Sequence, residues 1–243
     1  MTTKDWIENP KTKGSGMICC IPQKGPCPLK CADCFYNAGR SYLEPLEENT
    51  PHIPTPEMAK GRVVRMNDGW DSNLERELVE ATAQQYYDYF FNTSIPKDLG
   101  SFSGPVVLTV NPGKLTDKGF HKLVDIPPNL MFVRVRTNLW NWNTVVVPAV
   151  EFYTGLHVPV VLTWMAYYET PIPEEYLYAY VYCRRTINTY WCIETNIQEM
   201  TSREFKDNPY VHQCAYKNSH SCVRCGNCLR EYFATKERMR GSV

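Results

Sequence analysis

Gly16-Met17-Ile18-Cys19-Cys20-Ile21-Pro22 is a short apolar run, and after Gln23-Lys24-Gly25-Pro26 it is followed by Cys27-Pro28-Leu29-Lys30-Cys31-Ala32-Asp33-Cys34. The first stretch reads as a strand and the second as a turn-rich loop carrying three thiols at C-x3-C-x2-C spacing. Downstream, further strands are expected at Arg62–Met66, Pro105–Val110, Met131–Arg136, Val158–Thr163 and Thr189–Glu194. Helices are expected from Ser72 through Phe90, at Thr116–Val124, at Asn143–Thr154 and at Glu174–Val181. The first of these opens on a capping-box pattern, Ser72-Asn73-Leu74-Glu75. Strand followed by helix, repeated, predicts an α/β fold of parallel units with right-handed crossovers. Six strands suit a partial barrel better than a sandwich.

In such folds chemistry collects at the carboxyl ends of the strands. The residues there are the first cysteine triplet, then Asn67 to Asp71, then Asn111-Pro112-Gly113. Thr137-Asn138, Trp164-Met165 and Thr195-Asn196 complete the row.

Composition narrows the classes. With 43% hydrophobic and 21% charged residues the chain is neither disordered nor fibrous. Its 26 basic and 26 acidic residues cancel, which argues against non-specific nucleic-acid binding. No apolar run approaches the ~20 residues of a membrane span, and the N-terminus lacks the order of a signal peptide. A soluble, cytoplasmic protein with no membrane partner is the expectation. The 11 cysteines are an odd number and are clustered, which in a reducing compartment favours metal ligation over disulfides.

Three thiolates on one short loop can hold three corners of a 4Fe-4S cluster and leave the fourth iron open. A zinc loop that borrows a fourth ligand, with Cys19 or Cys20 nearby, is the competing reading. The loop resembles the signature of the radical S-adenosylmethionine superfamily, whose fold is a partial or full βα barrel. The resemblance spans about Gly16 to Asn196 and implies a partial (β/α)6 barrel over residues 1–200, with a Cys-rich metal-binding extension over 201–243. It implies that Cys27, Cys31 and Cys34 ligate a 4Fe-4S cluster whose open iron is chelated by S-adenosylmethionine. Reductive cleavage would then generate a 5'-deoxyadenosyl radical that abstracts hydrogen from a substrate, with an external donor supplying the electron. The substrate stays open among small molecules, nucleotides and peptides.

The same resemblance assigns cosubstrate contacts. Gly69-Trp70-Asp71-Ser72 occupies the place of the family's Gly-Gly-Glu-Pro-like turn, with Asp71 as carboxylate, although Trp70 interrupts the glycine pair. Helix capping is the plainer role for Asp71 and Ser72. Asn111 and Gly113, Asn138 and Thr163 fall at strand ends. Asp33 stands where the family has an aromatic residue, so Phe35 and Tyr36 are expected to supply the adenine contact.

Near the C-terminus Cys214, Cys222, Cys225 and Cys228 form C-x7-C-x2-C-x2-C, enough for a second metal centre. An auxiliary iron–sulfur cluster is slightly favoured over zinc, and His212 or His220 could replace one thiol. Past Glu194 no further strand is expected. Trp140, Trp142, Tyr167, Tyr168, Tyr178, Tyr180 and Tyr182 either line a pocket or fill the core. Cys183 and Cys192 read as buried, inert thiols, with hydrogen-atom donation as the sharper option. Lys114, Arg134 and Arg136 could meet an anionic substrate. Against the enzyme stands a non-enzymatic zinc-binding interaction or nucleic-acid-binding protein, which leaves the position of the triplet after the first strand unexplained.

Overall fold

The apolar runs of the sequence are buried at consecutive positions, as strands covered on both faces are, and they pair side by side. The computed structural model describes residues 6–31, 33–39, 41–111, 120, 122–168, 170–184, 189–214 and 221–241. Strands β1 (Met17–Cys20), β2 (Val63–Met66), β3 (Tyr89–Thr93), β4 (Val106–Val110), β5 (Leu130–Thr137), β6 (Val160–Trp164) and β9 (Val211–Gln213) make one sheet. Its order is β1-β2-β3-β4-β5-β6-β9 and every pairing is parallel. Among the described residues no pairing joins β9 back to β1, so both are edge strands. β7 (Tyr180–Arg184) and β8 (Thr189–Ile193) form a separate antiparallel hairpin. The helices are α1 (Leu46–Asn49), α2 (Pro56–Ala59), α3 (Arg76–Ala83), α4 (Val147–Gly155), α5 (Thr195–Ser202), α6 (Cys222–Cys225) and α7 (Asn227–Gly241). Among the described residues no helix is long and apolar enough to cross a membrane.

Side chains alternate across the sheet, so its two faces differ in chemistry. One face carries Ile18, Val64, Phe91, Leu108, Val133 and Leu162, packed against Val79 and Ala83 of α3 and Val150 and Tyr153 of α4. This is the main core. The opposite face starts apolar, with Met17, Val63, Phe90, Val107, Phe132 and Val161 under Tyr232 of α7. Further along the strands it turns polar. Cys19 lies beside Arg65, Thr109 beside Arg134, and Arg136 beside Thr163. A sheet face with two arginines near its middle is built for something other than core packing.

Several expectations change. The first helix ends at Ala83, and Tyr89-Phe90-Phe91-Asn92-Thr93 is a strand, because its aromatic rings serve both faces of a pleat. Neither Ser72 nor Asp71 caps α3. The residue preceding that helix is Glu75, in the left-handed region at φ 51, and Ser72 Oγ instead accepts from the Asn92 backbone amide. Glu174–Ala179 is a 3-10 turn leading into β7 rather than a helix. The strand at Thr189–Ile193 exists, yet it leaves the sheet to pair with β7. Its place is taken by Val211-His212-Gln213, so the chain does contribute a strand past Glu194. The sheet therefore has seven strands, and the seventh comes from the segment expected to be an extension. The expected helix at 116–124 falls largely outside the described residues, as do Gly113, Lys114 and His220.

Candidate metal and cofactor site

The triplet loop leaves β1 at its carboxyl end and is braced at several points. Ile21 and His52 exchange backbone hydrogen bonds of 2.8 and 2.7 Å. Asn37 Nδ2 donates to the Cys27 carbonyl at 2.8 Å, and the Cys27 amide donates to Asn37 Oδ1 at 3.2 Å. The Trp70 indole N–H donates to the Gly25 carbonyl at 2.8 Å. Lys30 and Asp33 both adopt left-handed backbone conformations, φ 43 and 56, which curl the chain between the thiols. Such conformations are costly for residues with a Cβ and mark a loop shaped for use. The Asp33 carbonyl accepts from Arg136 Nη2 at 2.9 Å, so the loop is tied to the carboxyl end of β5.

Cys27 is buried, while Cys31 and Cys34 are half-buried. Burial pushes the Cys27 thiol up to about 11, and the neighbouring Asp71, Cys31 and Cys34 add to the effect. The three thiols thus share one electrostatic neighbourhood in which a thiolate needs a cationic partner. Three soft sulfur donors fit iron or zinc chemistry.

The expected cosubstrate residues divide into used and unused groups. Asp71 is buried and its carboxylate accepts from Thr93 Oγ1 (2.6 Å), the Ser94 amide (2.6 Å), Ser94 Oγ (2.8 Å) and the Asn73 amide (2.9 Å). All four of its acceptor positions are taken by its own chain. Asn138 donates to the Tyr167 hydroxyl and accepts from the Asn141 amide, both at 2.8 Å. Tyr36 is buried against Gly69, where any Cβ would stand inside the Tyr36 ring. Phe35 is exposed, with Lys11 Nζ 5.7 Å from its ring centre. Trp70 and Asn111 are buried at the ends of β2 and β4. Thr163 Oγ1 is buried without a hydrogen-bond partner.

Two residues gain importance that the sequence reading passed over in favour of Asp71. Asn67 is buried with neither side-chain oxygen nor nitrogen partnered, and it holds φ 57. Asp68 accepts from Asn9 Nδ2 at 2.6 Å through one oxygen, while its other oxygen is buried and unpartnered. Buried polar atoms without partners are rare in folded chains and call for a ligand or water. Their place directly after β2 was the available signal.

The four C-terminal cysteines lie in one electrostatic neighbourhood. Cys214 follows β9, its amide donating to the Leu162 carbonyl at 2.8 Å. Cys222 and Cys225 open and close α6, capped by Ser221 and by Gly226 at φ 65, and Cys228 lies in the first turn of α7. Asn227 Nδ2 donates to the Gln213 carbonyl at 2.8 Å and pins α7 to β9. Cys214 and Cys225 are hydrogen-bonded to each other. The Cys214 thiol is held well above its ordinary value by that bond, by burial and by Cys228. Arg134 donates to Cys228 and to Asn92 Oδ1 (3.0 Å), and Arg65 lies beside Cys222 and Cys228. His212 faces Glu231 at 4.0 Å. Across both clusters, no group of three His, Cys, Asp or Glu side chains among the described residues has its donor atoms already gathered around one point.

The remaining aromatics serve packing. Trp140 with Tyr167 and Tyr180 fills the core under the hairpin, and Trp142 stacks on Trp164 at 5.6 Å. Tyr168 packs against Tyr190, while Tyr178 and Tyr182 are exposed. No family model, curated protein or solved structure matches the chain.

Proposed function

We propose that this chain is a radical S-adenosylmethionine enzyme, with its sequential parallel sheet read as an incomplete βα barrel and its activity in the reducing cytoplasm. The observation that carries the reading is the curled, braced loop leaving β1, which groups three thiols at the carboxyl edge of an all-parallel sheet. In this reading Cys27, Cys31 and Cys34 hold a 4Fe-4S cluster. The bound cluster would supply the electron, taken from an external donor, for cleaving S-adenosylmethionine and so for abstracting hydrogen from an as yet unidentified substrate.

The chain's own residues bind and orient. Phe35 offers an exposed ring for the adenine, and Arg136 holds the loop in register with β5. Because Asp71 is saturated, hydrogen-bonding capacity for the cosubstrate's amino group lies with Asn67 and Asp68. Cys214, Cys222, Cys225 and Cys228 form the second metal centre. Four thiolates around a divalent ion or a cubane core carry a double negative charge, and Arg65, Arg134 and Lys11 are positive charges beside them. An auxiliary cluster is slightly favoured over zinc because many radical S-adenosylmethionine enzymes carry one, the spacing itself suiting either metal.

The test is anaerobic reconstitution, followed by iron, sulfide and zinc analysis and an assay for 5'-deoxyadenosine under reducing conditions. Iron with matching sulfide, and 5'-deoxyadenosine release that Cys31→Ala abolishes, is the expected result. Two zinc ions per chain and no iron after reconstitution would replace the enzyme reading with a zinc-binding interaction protein.

A further inference from the structure

Four cysteines are used by neither metal cluster, Cys19 and Cys20 in β1 and Cys183 and Cys192 in the β7–β8 hairpin. Cys183 and Cys192 are thiols, both half-buried, with sulfurs 2.7 Å apart. The hairpin register pairs Cys183 with Tyr190 and Cys192 with Val181, so the two cysteines sit on a cross-strand diagonal. Val181 and Tyr182 beside them are exposed, so a small reagent in solvent has access to this strand. The hairpin itself is anchored to the carboxyl edge of the sheet. Tyr167 and Trp191 exchange backbone hydrogen bonds of 3.0 and 2.8 Å, and the Tyr167 hydroxyl accepts from Asn138.

We propose that Cys183 and Cys192 are a redox-active dithiol that a low-molecular-weight disulfide, such as oxidised glutathione, converts to an intramolecular disulfide. One thiolate attacks the small disulfide, forming a mixed disulfide and expelling one thiol. The second protein thiolate then attacks the first cysteine's own sulfur within that mixed disulfide, forming the Cys183–Cys192 bond and expelling the small molecule's sulfur as the second thiol. The protein loses two electrons and two protons, and the small disulfide gains both as two thiols. The two sulfurs are already close, so closing the bond needs little movement of the hairpin. Forming and reducing it switches the hairpin packed on Tyr167 between a linked and an unlinked state. The inference does not depend on the cluster reading.

The experiment treats the purified chain with oxidised glutathione, then blocks remaining thiols by alkylation and digests with trypsin. Trypsin cuts after Arg184 and Arg185, so the two cysteines fall on separate peptides unless a disulfide joins them. The expected product is those two peptides linked, lighter than their sum by two hydrogens and separated by dithiothreitol. In Cys183→Ser or Cys192→Ser the remaining partner should accumulate the glutathione mixed disulfide. Both cysteines recovered fully alkylated would overturn the proposal. So would glutathione retained separately on each in the unsubstituted chain, or its absence from both variants.

Discussion

Asp68 and Asp71 stand three positions apart, yet their surroundings give them opposite uses. Asp71 ties the turn after β2 to the end of β3 through four accepted hydrogen bonds, so its substitution is a matter of stability. Asp71→Ala leaves buried donors unmet and is expected to cost roughly 3 kcal/mol, read from the denaturant midpoint of the apoprotein. Asp68 keeps one oxygen unpartnered, so Asp68→Asn should lower that midpoint less than Asp71→Ala does. Its effect belongs to cosubstrate binding, a loss of about 1.5–3 kcal/mol, or roughly tenfold or more in Kd by calorimetry on the reconstituted protein. If Asp71→Asn rather than Asp68→Asn weakened binding, the assignment would revert to Asp71. The order of residues after β2 was legible in the sequence. Which carboxylate had capacity left was not, because that depends on Thr93 and Ser94 arriving from another strand.

Elements were legible where apolar residues ran together and illegible where partners decided. β4, β5 and β6 are runs of valine, leucine and phenylalanine that pair as strands whatever their neighbours. β9 has three residues, Val-His-Gln, and exists because β6 offers it an open edge. The connection between β1 and β2 is held by packing around His52, which stacks on Trp6 at 5.2 Å and meets Tyr42 edge-on. Burial lowers the His52 pKa below its ordinary value, and its Nε2 accepts from the Ile7 amide. The unfolded chain therefore binds a proton on His52 more readily than the folded one. Stability from this group is present above about pH 6.5 and is lost as pH falls through the lower folded value. Unfolding free energy measured across pH 7 to 5 should fall with a slope that flattens in His52→Gln. An unchanged slope would mean that His52 takes up its proton equally in the folded and unfolded chains.

For the whole molecule, the question is whether residues 201–243 stand apart from the rest. β9 is a strand of the main sheet, and α7 covers the apolar end of its inner face. There the Tyr232 hydroxyl donates to Asp88 at 2.7 Å, and Arg238 donates to the Leu130 carbonyl at 2.6 Å. Removing residues 203–243 exposes Met17, Val63, Phe90, Val107 and Val161 together. The truncated chain is expected to lose its cooperative thermal transition and to self-associate in size-exclusion chromatography. A monomer with a sharp transition would instead make the tail a separable extension.

The amino-acid sequence alone determined the α/β class, the strands dense in β-branched residues and the position of the first thiol triplet after β1. These are local matters of periodicity, turn chemistry and spacing, carried by residues within one or two turns of each other. Tertiary structure alone decided that Tyr89–Thr93 is a strand, that β8 leaves the sheet, and that Val211–Gln213 completes it. It also decided that Arg65 and Arg134 meet the C-terminal thiols, and that Cys183 and Cys192 meet each other. Each of these depends on which edge, face or register is left open once the stronger elements have paired. That is a property of the assembled sheet and of no single segment.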